Sequence, residues 1–306
     1  MTKGHRRGVK RVLIVVNKWW ECDPIMSVLL NENAHPTTLT WPDQLNHPHP
    51  LPRSPMPAGS KLKPRAVFNL ANISAEVWCI SDLLEDLPNN PQNQSSSQRK
   101  MERLPAIFGA EPPSLVVAVG TAGLPSELTE NGSVVIGTGV FMHDCHPNGT
   151  NPDSRWNTGP FDEVLNSGLT KATFTSLTQL DTSAQSRLLT APLNPAWQPR
   201  ILSRYSYVAL AAVNVTDYAE YEETDLATLD TFLAKYPQRN AKSLETTHGL
   251  IRASSSAPFI FVSGITDRVG FFADEVGPRS YAQNSVAAHN AGVAVAWMLP
   301  NIDAKI

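Results

Sequence analysis

The sequence predicts an α/β fold: a single domain on a central mixed, largely parallel twisted sheet flanked by helices. Three observations carry this expectation. Arg11–Val16 (RVLIVV), Leu115–Val119 (LVVAV) and Pro258–Val262 (PFIFV) are short unbroken apolar runs, the pattern of strands buried on both faces. Helical patterns occur among them, at Asp225–Ala234 and in the alanine-rich Tyr281–Leu299. A hydrophobic fraction of 42% over 306 residues supplies enough material for one large core.

The elements follow in order. Residues 1–10 read as a basic tail, with the domain running from 11 to 306. After the first strand a helix is expected, with Asp23 as its cap and Pro24 in its first turn. Residues 34–64 are proline-dense and aperiodic, a surface insertion, and His47-Pro48-His49-Pro50 excludes helix or central strand there. Ala66–Leu70 and Glu76–Ile80 read as strands, and a second insertion covers 83–100, polar from Asn89 to Ser97. Leu115–Val119 runs into a Gly120-Thr121-Ala122-Gly123 turn, and Asn131-Gly132 turns into the strand Ser133–Ile136. Thr150–Pro160 reads as a loop and Tyr207–Val215 as a strand. The helix Asp225–Ala234 places Leu226, Leu229, Phe232 and Leu233 on one face and ends before Pro237.

Composition excludes several function classes. Lys+Arg 25 against Asp+Glu 28, a net charge of −3, gives no basic surplus for binding a nucleic-acid polymer. No apolar run approaches the ~18–20 residues of a membrane span. The three cysteines, Cys22, Cys79 and Cys145, build no disulfide framework and no CxxC pair. The apolar stretch after the basic head is only Val12–Val16, too short for a signal peptide, so a cytoplasmic protein is expected. His143 and His146 are spaced for one helix face, but Pro147-Asn148-Gly149 marks a loop and no further ligands are in view, so no metal is expected. Gly137-Thr138-Gly139 lacks the third glycine of a dinucleotide fingerprint, and no cofactor is expected.

In open α/β sheets ligands gather at the carboxyl ends of strands. Three such ends carry chemistry here: Asn17 to Asp23 with Trp19, Trp20 and Glu21; the Gly120–Gly123 turn; and Ser263–Arg268 with Thr266 and Asp267. Carboxylates at two ends and backbone amides at the third form an acid/base arrangement if the ends converge. Trp19-Trp20 reads either as core and interface or as a wall for a flat ligand.

The ordered set Gly120-Thr121-Ala122-Gly123, Asn131-Gly132-Ser133-Val134-Val135-Ile136, His143-Asp144, Leu244-Glu245-Thr246-Thr247 and Phe259–Asp267 resembles the purine nucleoside phosphorylase/nucleosidase superfamily. Its nearest look is to methylthioadenosine/S-adenosylhomocysteine nucleosidases, which hydrolyse an N-glycosidic bond. The resemblance implies Asp267 as the acid that protonates the leaving base and Glu21 as the residue that activates water, with Asp23 as the alternative. It implies Glu245 as the ribose ligand, Tyr218 as an aromatic against the base, and Thr121, Ala122, Gly123, Thr266 and Trp20 as further substrate contacts. It also implies a homodimer, a small-molecule nucleoside substrate and no cofactor. Asn17-Lys18-Trp19-Trp20 stands where phosphorylases have a glycine turn and phosphate-holding arginines, which favours water over phosphate. The family's second glutamate is missing after Glu245. A phosphorylase, and a non-catalytic binding or storage member of the fold, are the alternatives.

Overall fold

A computed structural model describes residues 9–29, 62–70, 72–85, 95–145, 163–215, 221–276 and 280–306. The expected basic tail through residue 8, most of the 34–64 insertion, residues 86–94, the 150–160 loop, His146 and Tyr218 lie outside the described residues.

The chain forms β1 (Lys10–Val16), α1 (Trp19–Leu29), β2 (Ala66–Leu70), β3 (Ile73–Cys79), α2 (Ile80–Glu85), α3 (Ser96–Arg103), α4 (Pro105–Phe108) and β4 (Leu115–Leu124). There follow β5 (Val134–Gly137), β6 (Gly139–Asp144), β7 (Val164–Leu165), α5 (Lys171–Leu177), α6 (Thr182–Gln185), β8 (Ile201–Ser203) and β9 (Tyr207–Val213). The last elements are α7 (Tyr221–Lys235), β10 (Asn240–Glu245), α8 (His248–Ala253), β11 (Phe259–Arg268), α9 (Phe272–Glu275) and α10 (Ser280–Lys305).

Among the described residues the strands join one mixed sheet of 11, in the path β2-β3-β1-β4-β10-β9-β6-β7 with β11, β5 and β8 branching from β4. The β1–β3, β1–β4, β4–β11, β9–β10 and β6–β9 pairs are parallel. Alternation along the central strands explains their unbroken apolar runs. Val12, Ile14 and Val16 pack toward α1 and α10, while Leu13 and Val15 pack toward the opposite layer with Ile80, Leu104 and Leu250. Each face meets a helical layer, so neither parity of position can be polar.

Three local expectations need correction. Helix α1 starts at Trp19, so Pro24 lies inside it and Asp23 is not its cap. The Lys18 carbonyl accepts the first helical bond from the Cys22 amide (2.9 Å), and the Glu21 carboxylate accepts the Lys18 amide (2.9 Å), closing the helix start without Asp23. The Gly120–Gly123 segment is strand rather than turn, and Ser263–Arg268 is strand rather than loop, because β4 and β11 keep pairing in parallel through both. Helix α7 buries Asp225, Thr228 and Phe232, while Leu226 and Leu233 are each 44% exposed. Of the apolar stripe read from the sequence, Phe232 and Leu229 pack inward and Leu226 and Leu233 do not.

Helix α10 lies directly on β11 at Gly264, where an added Cβ would fall 2.0 Å from the Ala287 carbonyl oxygen. Backbone cannot yield as a side chain can, so Gly264→Ala is expected to cost about 3 kcal/mol or more. Urea unfolding of the variant checks this, and a loss under 1 kcal/mol would contradict the packing. Among the described residues no helix is long and apolar enough to cross a membrane.

Candidate active site

Strand β1 pairs with β4 only as far as Val16–Val119, whereas β4 continues to Leu124. The edge that β1 leaves is filled by a side chain from the helix that follows it. Glu21, 3% exposed, accepts the Thr121 amide (2.7 Å) and the Thr121 hydroxyl (2.8 Å) on Oε1, and the Lys18 amide on Oε2. Burial raises the Glu21 pKa, and the bonds from Thr121 and Lys18 oppose that rise. Gly120 makes the approach possible: a Cβ there would lie 3.1 Å from Glu21 Oε1 and 3.7 Å from His248 Nε2.

On the other edge of β4, the β11 register shifts between Ile265 and Asp267, leaving Thr266 as the extra residue of a bulge. A bulge re-aims the side chains next to it. Asp267 is thereby placed over Gly123, where a Cβ would meet Asp267 Oδ2 at 3.3 Å. The Thr266 hydroxyl bonds to Asp267 Oδ1 and lies 3.3 Å from the Ala122 carbonyl oxygen. Burial pushes the Asp267 pKa up to about 7, against the Thr266 hydrogen bond, and the charges of Glu275 and Glu222 push the same way. The two glycines of one strand thus each leave room for one carboxyl group. Gly123→Ala is expected to displace Asp267 and lower kcat about tenfold, since sub-ångström misplacement of a reacting group is costly. An unchanged kcat with an unchanged melting temperature would refute that reading of Gly123.

Glu245 ends β10, and its carboxylate accepts the amides of Thr247 and His248, the latter at 2.8 Å. Helix α8 has no side-chain cap from Thr247, so Glu245 supplies one and spends most of its acceptor capacity on its own chain. Its pKa is pushed up to about 7 by burial, opposed by those amides and by the charge of Lys100.

Glu21, Thr121, Ala122, Gly123, Glu245, Thr266, Asp267 and Trp20 line one cavity of about 230 Å³. The strand ends singled out in the sequence do converge. Asp23 is not among the lining residues: its carboxylate pairs with Arg65 (2.7 Å), which also grips Asp82 (2.6 Å). Trp19 packs against the core while Trp20 faces the cavity. His143 stacks on Phe141, Asp144 accepts the Asn214 side-chain amide (2.9 Å), and neither lines the cavity. Among the described residues no group of three His, Cys, Asp or Glu side chains is placed to hold a metal ion.

Three titratable lining residues were given no role from the sequence. Asp225 of α7 is 4% exposed, its Oδ1 has no hydrogen-bond partner among the described residues, and burial followed by the charge of Asp267 pushes its pKa up to about 8. His248 is 3% exposed, and burial lowers its pKa to about 4, so it is neutral at pH 7. Lys100 of α3 donates to the Thr247 hydroxyl (3.1 Å), and burial, with the charge of Lys18, lowers its pKa to about 7. The periodicity of α7 held one signal, since Asp225 shares the Phe232 face; Lys100 stood in a polar stretch that offered none.

No protein-family profile and no curated protein matches the chain. Solved structures do. A 5′-methylthioadenosine/S-adenosylhomocysteine nucleosidase from Helicobacter pylori, bound to butyl-thio-DADMe-Immucillin-A, aligns over 95% of this chain and 98% of its own at 12% identity (TM-score 0.53). The 5′-methylthioadenosine nucleosidase of Arabidopsis thaliana aligns over 98% of both chains at 12% identity (TM-score 0.52). A futalosine hydrolase mutant from Helicobacter pylori aligns over 97% of this chain and 100% of its own at 11% identity (TM-score 0.52). End to end, the chain has the nucleoside phosphorylase/nucleosidase fold shared by these structures.

Proposed function

We propose that the protein is a nucleosidase that hydrolyses the N-glycosidic bond of a purine-type nucleoside or related N-riboside. The observation that carries this reading is that Glu21 and Asp267, distant in sequence, flank one strand and line one cavity, one held by fixed donors and the other with its pKa near 7. The fold, shared with nucleosidases, supports it.

In the proposed reaction Glu21 orients a water and accepts its proton as the oxygen bonds to the anomeric carbon. The carbon–nitrogen bond breaks, its electron pair passes to the base, and Asp267 delivers a proton to a ring nitrogen. Free base and reducing sugar leave. A transition state with oxocarbenium character is stabilised by the buried negative charge of Glu21 beneath the sugar. Glu245 holds a sugar hydroxyl with its remaining acceptor capacity, and Trp20 walls the cavity.

Water is favoured over phosphate by the donors already spent. The Thr121 amide and hydroxyl are bonded to Glu21, and Arg268 pairs with Glu275 (2.6 Å) with its guanidinium 3.9 Å from the Phe271 ring centre. A phosphate dianion placed beside the anomeric carbon would meet a carboxylate. Incubation with a nucleoside panel, with and without phosphate, is expected to release free base and free sugar at a phosphate-independent rate. Sugar 1-phosphate as the main product, rising with phosphate, would move the protein to the phosphorylase reading. A panel that includes nucleoside 5′-monophosphates and releases no base would overturn the nucleosidase.

A further inference from the structure

Lys100 is a basic side chain that the reaction proposed above does not use. It is 3% exposed, lines the cavity and donates to one neutral acceptor, the Thr247 hydroxyl. An ammonium carries three donors, and buried charges are ordinarily matched by an opposite charge. Among the described residues no carboxylate lies within ion-pairing distance of Lys100 Nζ. The two carboxylates whose charge reaches it, Glu245 and Glu21, are bonded elsewhere, to the amides of Thr247 and His248 and to Thr121 and Lys18. Lys18 lines the same cavity and adds a second positive charge, which also acts on Lys100. Ser96, on the first turn of the helix that carries Lys100, adds a hydroxyl to the wall.

The charges order the cavity. Asp225 responds to Asp267 and to Glu245, and Lys100 responds to Glu245 and Glu21. Asp267 meets β4 at Gly123 from the β11 edge, β10 pairs Leu244 with the same Gly123 from the other edge, and Lys100 bonds Thr247 just past β10, so the carboxyl end and the lysine end of the cavity lie on opposite edges of β4. With Asp267 at the leaving base, the lysine end falls on the sugar half of the ligand.

We propose that the cavity takes an N-riboside whose sugar half carries its own oxyanion, such as a 5′-phosphate, and that Lys100, with Lys18 and Ser96, binds that oxyanion. This rests on the nucleosidase reading for the direction of the ligand. It goes beyond that reading in naming a charged substrate class and a specificity residue. A neutral nucleoside leaves Lys100 facing the cavity with no carboxylate within ion-pairing distance among the described residues. An oxyanion supplies the missing acceptors, and charge-assisted hydrogen bonds of this kind are worth a tenfold or greater gain in affinity.

The test compares adenosine 5′-monophosphate and inosine 5′-monophosphate with their parent nucleosides, by calorimetric binding to the Asp267→Asn protein and by turnover of the wild type. At least one monophosphate is expected to bind tenfold or more tightly than its parent and to show the higher kcat/KM. In Lys100→Met that preference should fall at least tenfold. The wild-type comparison stands without the variant if Lys100→Met does not fold. Equal or tighter binding of both parents, or an unchanged preference in folded Lys100→Met, overturns the proposal. A third arm adds inorganic phosphate to the parent nucleosides. If phosphate accelerates cleavage and sugar 1-phosphate forms, the anion is a separate co-substrate and the proposal is wrong. Binding and turnover separate the two readings: a monophosphate preference in binding without release of base would sustain the oxyanion site and sink the nucleosidase.

Discussion

Asp267→Asn is expected to lower kcat/KM by about 10²–10⁴-fold, the usual contribution of a general acid, while leaving the fold intact. The amide matches the carboxyl in volume and keeps a partner for the Thr266 hydroxyl, yet it cannot release the proton the departing base needs. The pH profile supplies a second reading of the same residue. Burial raises the Asp267 pKa to about 7, so its acid form is depleted as pH rises through that value, and wild-type activity should fall there. Lys100 and Glu245 also titrate at about 7 and Asp225 at about 8, so the falling limb belongs to a coupled set. Comparing the wild type with Asp267→Asn isolates the part due to the acid. Wild-type stability should fall over the same range. A carboxyl whose folded pKa lies above its unfolded value contributes most below the unfolded value, and that contribution is lost as pH rises through the folded value. Asparagine carries no such penalty, so at pH 8 the variant should melt at or above the wild-type temperature. Activity within threefold of wild type, or a falling limb unchanged in the variant, would remove Asp267 from the mechanism.

The convergence of this site was legible because it is built from strand ends, and strands announce themselves by unbroken apolar runs. Val12–Val16, Leu115–Val119 and Phe259–Val262 lie where the patterns placed them, and Glu21, Thr121, Thr266 and Asp267 follow directly. The length of β4 and β11 was not legible. Gly120, Ser263 and Gly264 have no preference for strand, and what keeps them extended is the partner strand. The bulge at Thr266 belongs to the same category, since register is a property of two segments and never of one. Asp225 was passed over because Leu226, Leu229 and Leu233 suggested a different buried face; two of those three leucines, Leu226 and Leu233, face outward in the fold. Lys100 had no local signature at all, because Ser96–Arg103 reads as a solvated polar stretch and its burial comes from Thr247 and the cavity wall. Long-range packing decided each of these, and a chain read locally does not contain it.

Glu21→Gln is expected to lower kcat/KM by about 10²-fold or more, and Asp23→Asn by less than threefold, because two residues on one helix have been given different work. Glu21 faces the cavity from beneath Thr121, so its carboxylate can accept a proton from water there. Glutamine keeps an oxygen for the Thr121 amide and hydroxyl, so the β4 edge should survive at the cost of the bond from the Lys18 amide, but it cannot take the proton. Asp23 lies two residues on and points toward Arg65, with its carboxylate 2.7 Å from the guanidinium. Arg65 retains Asp82 when Asp23 is neutralised, at 2.6 and 2.7 Å, so no unpaired cation is left behind. The loss there should register as stability, about 1 kcal/mol in urea unfolding, with the chemistry spared. Steady-state kinetics of the two variants, with circular dichroism to confirm the fold, decide the matter. An inactive Asp23→Asn beside an active Glu21→Gln would mean that water is handled on the Arg65 side of α1 and that the cavity described here is not where the bond breaks.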